Sequence, residues 1–216
     1  MSPKSFHAPR VLFTRSSLLL GLLILCGTIA QTSAKPARVI LFRHAEKPED
    51  EKDIHLSERG VKRAEALVEF FAANFGVDTN HPPVLFATRQ TRGALSLRTR
   101  ETLQPLAKAL NFPIHQPVKA ADFQILATHL LENPEFEGKT VVVCWAHDEL
   151  GDFARALGAD PKPKDWKKDV FDRVWEVSFK MRRVRCKTVH QQILPDDERV
   201  STKHGEPEFK PGSEAR

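Results

Sequence analysis

Three short apolar runs without polar alternation set the architecture: "ARVILF" over 37–42, "PVLFAT" over 83–88 and "KTVVVCWAH" over 139–147. Each is rich in β-branched or aromatic residues and has no polar residue at every second position. Such runs predict strands covered on both faces rather than one. The segments between them switch to a three- and four-residue period. In "LSERGVKRAEALVEFFAANFG", Ala64, Leu67, Phe71 and Phe75 fall on one face, Ser57 is a good N-cap and Gly76 stops the helix. "LRTRETLQPLAKALN" repeats the pattern with Leu103, Leu106 and Leu110, and Pro105 predicts a kink or a late helix start. "FQILATHLLEN" (123–133) and "LGDFARALG" (150–158) give two more helices. "RVWEVSFK" and "RVRCKTVHQQIL" read as a terminal hairpin of more exposed strands. Strands alternating with helices imply an α/β fold, a three-layer α/β/α sandwich with a mostly parallel central sheet.

Ligands of such sheets sit beyond the carboxyl ends of the strands. Arg43 and His44 follow the first run there, and His147 follows the third. An arginine beside a histidine at the end of a buried strand suits a negatively charged group. Guanidinium is planar, always charged and can bind oxygens in pairs. Nearby cations also hold an imidazole unprotonated, which a nucleophile requires.

The first 34 residues differ from the rest. Lys4, Arg10 and Arg15 form a basic leader, Ser17 to Ala30 is an apolar stretch, and "TSA" ends it with small residues before Lys35. That is the layout of a secretory signal, with cleavage after Ala30 or Ala34 and an uncleaved membrane anchor as the alternative. The expected organisation is a signal over 1–34, one domain over 35–198 and a polar, disordered tail over 199–216. Loss of the three leader cations brings the formal charge from +5 to +2, so charge gives no argument for a nucleic-acid partner. The nine histidines show no metal-ligand spacing, and no metal or other cofactor is expected. Cys144 and Cys186 sit in strand-like stretches and read as free, buried thiols. "KPKDWKKD" (162–169) reads as an exposed loop around Trp166, with a substrate lip as the alternative.

"RHAEKP" (43–48), "LSERG" (56–60), "SLRTRETLQPLA" (96–107) and "VVVCWAHDEL" (141–150), in that order, resemble the histidine phosphatase superfamily, branch 1, with its phosphoglycerate mutase-like fold. The resemblance runs from about Ala37 to Phe179. It implies that His44 is a nucleophile that becomes phosphohistidine, and that Arg43 and Arg98 bind phosphoryl oxygens. Arg98 is chosen because Arg98 and Thr102 match the family's arginine-to-threonine spacing, although Arg92 could also reach the pocket. His147 is the implied second histidine. Lys47 stands where one branch of the superfamily has a phosphate-binding arginine. A leaving alkoxide needs a proton. Asp148 is the implied donor, with Glu149 and Asp122 as the other candidates. The function implied is an exported phosphatase acting on a phosphorylated small molecule or phosphoprotein. The alternatives are a catalytically impaired phosphate-binding relative and a phosphohistidine-protein phosphatase. Nothing in the sequence speaks for any oligomeric state.

Overall fold

The computed structural model describes residues 35–50, 52–180, 183–195 and 197. The leader over 1–34 and the tail over 199–216 lie outside the described residues. The three apolar runs form β1 (Arg38–Arg43), β2 (Val84–Ala87) and β4 (Thr140–Trp145), with a two-residue β3 (Ile114–His115). The helices are α1 (Glu58–Phe75), α2 (Arg98–Leu110), α3 (Phe123–Glu132) and α4 (His147–Ala156). β5 (Arg173–Lys180) and β6 (Arg183–His190) complete one sheet of order β3-β2-β4-β1-β5-β6. β1, β2, β3 and β4 run parallel, while β5 and β6 are antiparallel additions.

The pleat sorts the helices onto opposite faces, because successive residues of a strand point to opposite sides. Phe42 and its register partner Cys144 face α1 and α2: Phe42 meets the Phe71 ring at 5.4 Å, and Cys144 hydrogen-bonds the Thr102 side chain. Arg43 and its partner Trp145 face the other way. The Trp145 ring meets Phe153 of α4 at 5.3 Å, and its indole N–H donates to the Ala120 carbonyl at 3.0 Å. This is the expected three-layer sandwich.

Four local expectations are corrected. α2 begins at Arg98, ahead of Pro105, so the proline does not delay the helix; Leu103, Leu106 and Leu110 stay buried around it. Of the two expected outcomes, a kink or a late start, the late start does not occur: Pro105 lies inside the helix. α4 begins at His147 rather than Leu150. β5 is not an exposed strand. It lies between β1 and β6, and Val174, Trp175 and Val177 are buried. Trp166 is likewise no exposed loop residue. It is 5% exposed, stacks edge-on against Trp175 at 4.7 Å and donates from its indole to the Val170 carbonyl at 2.8 Å. Among the described residues Cys144 and Cys186 are free, as expected, with Cys144 buried and Cys186 only half-buried. The outer strand β6 exposes Arg183, Arg185 and Lys187, charges that discourage another chain from pairing with an open edge.

Candidate active site

β1 ends on Arg43, and the chain then turns through His44, Ala45 and Glu46 before reaching α1. This turn is held from two sides. Thr102 of α2 accepts a hydrogen bond from the Ala45 N–H at 2.9 Å and donates to its own Arg98 carbonyl at 2.7 Å. The Glu46 carbonyl accepts from the Ser57 N–H at 3.0 Å and from the Ser57 hydroxyl at 3.2 Å, while that hydroxyl accepts from the Gly60 N–H at 3.1 Å. One serine therefore caps α1 and docks the turn against it. The Glu46 carboxylate is gripped by Arg59 at 3.1 Å and by Arg63 at 2.7 Å; Arg63 also binds Asp197 at 3.0 Å. Burial works against the Arg63 charge, but the two carboxylates outweigh it and raise its pKa.

The His44 ring is 7% exposed, and its Nδ1 lies 2.7 Å from the Ala45 carbonyl. A carbonyl can only accept, so Nδ1 carries the proton and Nε2 presents its lone pair. Burial, then the charges of Arg43, Arg98 and His147, push the His44 pKa down to about 3, against the opposing Ala45 hydrogen bond. The sequence-predicted residues Arg43, His44, Arg98 and His147 thus come within electrostatic reach of one imidazole.

Arg43 is 2% exposed. Its Nη1 donates to the Lys168 carbonyl and, at 3.4 Å, to the Val170 carbonyl, and its guanidinium lies over the Phe171 ring at 3.9 Å. Its Nε is buried without a partner among the described residues. Burial, opposed by Asp148 and Asp169, brings its pKa down to about 10, so it stays charged at neutral pH. Arg98 is fixed by the loop before α1, donating to the His55 carbonyl at 3.0 Å and to the Asp53 carbonyl. Arg92 is exposed.

His147 is the first residue of α4, where the helix dipole disfavours a cation. Burial foremost, then Arg43, Lys47 and Lys168, lowers its pKa, against the pull of Asp148. Asp148 sits with Oδ1 3.0 Å from His147 Nε2 and is mostly exposed. The N-cap of α4 is Ala146, so Asp148 does not cap the helix. Glu149 is half-buried, with Oε2 unpartnered among the described residues; burial and then Asp148 raise its pKa. Asp122 pairs with Lys119 at 3.6 Å. Lys47 is half-buried, and its charge reaches His147.

Sequence reasoning missed Phe171 and held Lys168 only as part of a basic loop that could form a substrate lip; Phe171 lies against Arg43, and the Lys168 carbonyl accepts from it. They come from an aperiodic segment between α4 and β5, and only the basic run containing Trp166 marked it. Among the described residues no group of three His, Cys, Asp or Glu side chains could hold a metal. Two open clefts elsewhere, one lined by His55, Leu56 and Gln104 and one by Arg38, Phe75 and Lys139, contain none of the residues gathered around His44.

A neutral, buried histidine leaves a pH signature. The folded state binds fewer protons than the unfolded chain between the ordinary histidine pKa of 6.5 and the depressed value of about 3. Stability contributed by neutral His44 is therefore complete above about pH 6.5 and is lost as the pH falls through that window. Urea unfolding at pH 7 and pH 4 checks this: His44→Asn is expected to lose less stability on acidification than the parent protein.

No protein-family model matches the chain, and no curated protein matches it. Solved structures do. The complex of mycobacterial glucosyl-3-phosphoglycerate phosphatase Rv2419c with inorganic phosphate is similar at a TM-score of 0.44 and 15% identity, covering 71% of this chain and 95% of that one. A phosphoserine phosphatase mutant from Entamoeba histolytica, in complex with phosphoserine, gives 0.46 and 15% over 73% and 98%. The protein histidine phosphatase SixA complexed with tungstate gives 0.43 and 15% over 65% and 87%. These three proteins are each described as a phosphatase.

Proposed function

We propose that the chain is an exported phosphatase of the histidine phosphatase type, hydrolysing phosphomonoesters through a phosphohistidine on His44. The observation that carries the reading is the state of His44. Its Nδ1–H is tied to the Ala45 carbonyl, its Nε2 lone pair is free, and its pKa lies at about 3 in the field of Arg43, Arg98 and His147. A neutral imidazole ringed by cations can attack a phosphoryl group whose oxygens those cations bind.

In the proposed reaction Nε2 of His44 forms a bond to phosphorus as the bond from phosphorus to the ester oxygen breaks. Arg43, Arg98 and Lys47 bind the non-bridging oxygens, and His147 stabilises the charge on the group in flight. Asp148 gives the departing oxygen its proton. Water then attacks phosphorus and loses a proton to Asp148, which frees inorganic phosphate and restores Nε2. The basic, apolar and small-residue order of the leader supports export.

The direct test is to quench the enzyme during turnover of a 32P-labelled phosphomonoester and map the label. Acid-labile, base-stable phosphate on His44 is expected; phosphate bound without any covalent label would leave a phosphate-binding protein instead. Asp148→Asn separates the proton donor from the nucleophile. Turnover of an alkyl phosphate is expected to fall about 10²–10⁴-fold. Turnover of p-nitrophenyl phosphate should change far less, because its leaving group needs no proton. Equal losses on both substrates would move the role away from Asp148, and Glu149→Gln is the next variant to measure.

A further inference from the structure

The sheet ends with β6 at His190, yet the chain beyond it reaches back to the turn that carries His44. Gln191 is 5% exposed. Its N–H donates to the Asp172 carbonyl at 2.6 Å, and its side-chain oxygen accepts from Arg63 at 3.1 Å. Asp172 follows Phe171, whose ring lies against Arg43 and His44. Asp197 then returns to the same guanidinium. Its Oδ1 accepts from Arg63 Nη2 at 2.5 Å and from Arg59 at 3.2 Å, and its Oδ2 accepts from Arg63 Nη1 at 3.0 Å. The Ile193 and Leu194 N–H groups also donate to Oδ2, at 2.9 Å and 3.0 Å. The Asp197 and Arg63 side chains are each 2% exposed.

A guanidinium carries N–H groups on all three nitrogens, and each Arg63 nitrogen is occupied. Nε donates to Glu46, Nη1 to Gln191 and Asp197, and Nη2 to Glu46 and Asp197. The plane of Arg63 is thus fixed between the chain beyond β6 and the His44 turn, and it fixes the Glu46 carboxylate in its own place. The Glu46 N–H belongs to the same planar peptide unit as the Ala45 carbonyl. That carbonyl accepts from His44 Nδ1 at 2.7 Å, which settles the tautomer and leaves Nε2 its lone pair. Without Asp197, Glu46 is the one carboxylate left to Arg63 among the described residues. A buried cation short of acceptors closes on the partner it keeps, and the Ala45–Glu46 peptide moves with that partner.

From this run of contacts we infer that Asp197 is a positioning residue for phosphoryl transfer: acting through Arg63 and Glu46, it holds the Ala45 carbonyl that orients His44. The inference rests on the phosphatase reading above.

Asp197→Asn removes the charge and keeps the shape, while Asp197→Ala removes both. In each, kcat for p-nitrophenyl phosphate per folded enzyme is expected to fall about tenfold. KM and the inhibition constant for inorganic phosphate should change less than about twofold. Long-range 1H–15N NMR of the imidazole reads the orientation without any turnover. His44 is expected as the Nδ1–H tautomer in the parent and as a mixture with the Nε2–H form in the variants. Glu46→Gln should give a similar loss in kcat, and Glu46→Gln with Asp197→Asn no more than the worse of the two, because both act on one peptide unit. A parental kcat or an unchanged tautomer in the folded Asp197 variants overturns the inference, and so do losses that multiply in the double variant. Failure of both Asp197 variants to fold makes the residue structural and overturns it too. Absence of His44-dependent hydrolysis of p-nitrophenyl phosphate in the parent overturns the phosphatase reading instead, and the positioning role falls with it.

Discussion

His44→Ala is expected to lower kcat/KM for p-nitrophenyl phosphate by at least about 10⁴-fold and to abolish covalent phosphate on the protein. Alanine removes the Nε2 that would bond to phosphorus, and no neighbour can replace it. His147 stands at the start of α4 with its Nε2 3.0 Å from Asp148, and its place is set by that helix rather than by the β1 turn. The remaining cations would still bind phosphate, so KM or the inhibition constant for inorganic phosphate should change much less than kcat. His44 is 7% exposed, so the substitution also leaves a small cavity, and the variant's unfolding midpoint must be measured beside its rate. A folded His44→Ala protein that retains a tenth of the parent rate would refute the covalent mechanism.

Gly60→Ala is expected to be the most damaging small substitution in the chain, destabilising it by roughly 3 kcal/mol or more. A Cβ at Gly60 would lie 2.3 Å from the Glu46 carbonyl oxygen, 3.0 Å from its nitrogen and 3.2 Å from its carbonyl carbon. All three are backbone atoms, and they cannot swing aside as a side chain can. Ser57 holds the Glu46 carbonyl, and Arg59 and Arg63 hold its carboxylate. Relief therefore requires moving the turn that carries His44 or the first turn of α1. Surviving folded protein should lose about 10²-fold in kcat through that displacement. The helix-propensity argument has the opposite sign, since alanine in a helix is favoured over glycine by about 1 kcal/mol. Urea unfolding decides: a stabilised Gly60→Ala would mean that α1 and the His44 turn do not meet this closely.

Much of the fold was legible because it rests on period and punctuation. β1, β2 and β4 appear where unbroken apolar runs stand, and α1 begins after Ser57 and ends at Gly76, whose φ of 59° is the left-handed conformation glycine adopts without strain. β5 was misjudged because "RVWEVSFK" alternates, and alternation ordinarily marks one solvated face. Here Glu176, an apparently outward residue, is 8% exposed and is neutralised by Arg38 and Lys187. Charge pairing across strands removed the polarity signal. Trp166 was misjudged for a similar reason: four lysines surround it in sequence, while its ring packs against Trp175, a residue of a different element.

The sequence alone determined which strands are buried, where α1 starts and stops, and that Arg43, His44 and His147 fall at the carboxyl ends of strands. These are consequences of local chemistry: periodicity, caps and the direction of a parallel sheet. Only the tertiary structure decided that Arg98, held by the carbonyls of a loop more than forty residues earlier, comes within electrostatic reach of His44, and that Phe171 and the Lys168 carbonyl meet Arg43. Those placements depend on contacts between segments far apart in the chain, where no spacing rule connects one residue to the next.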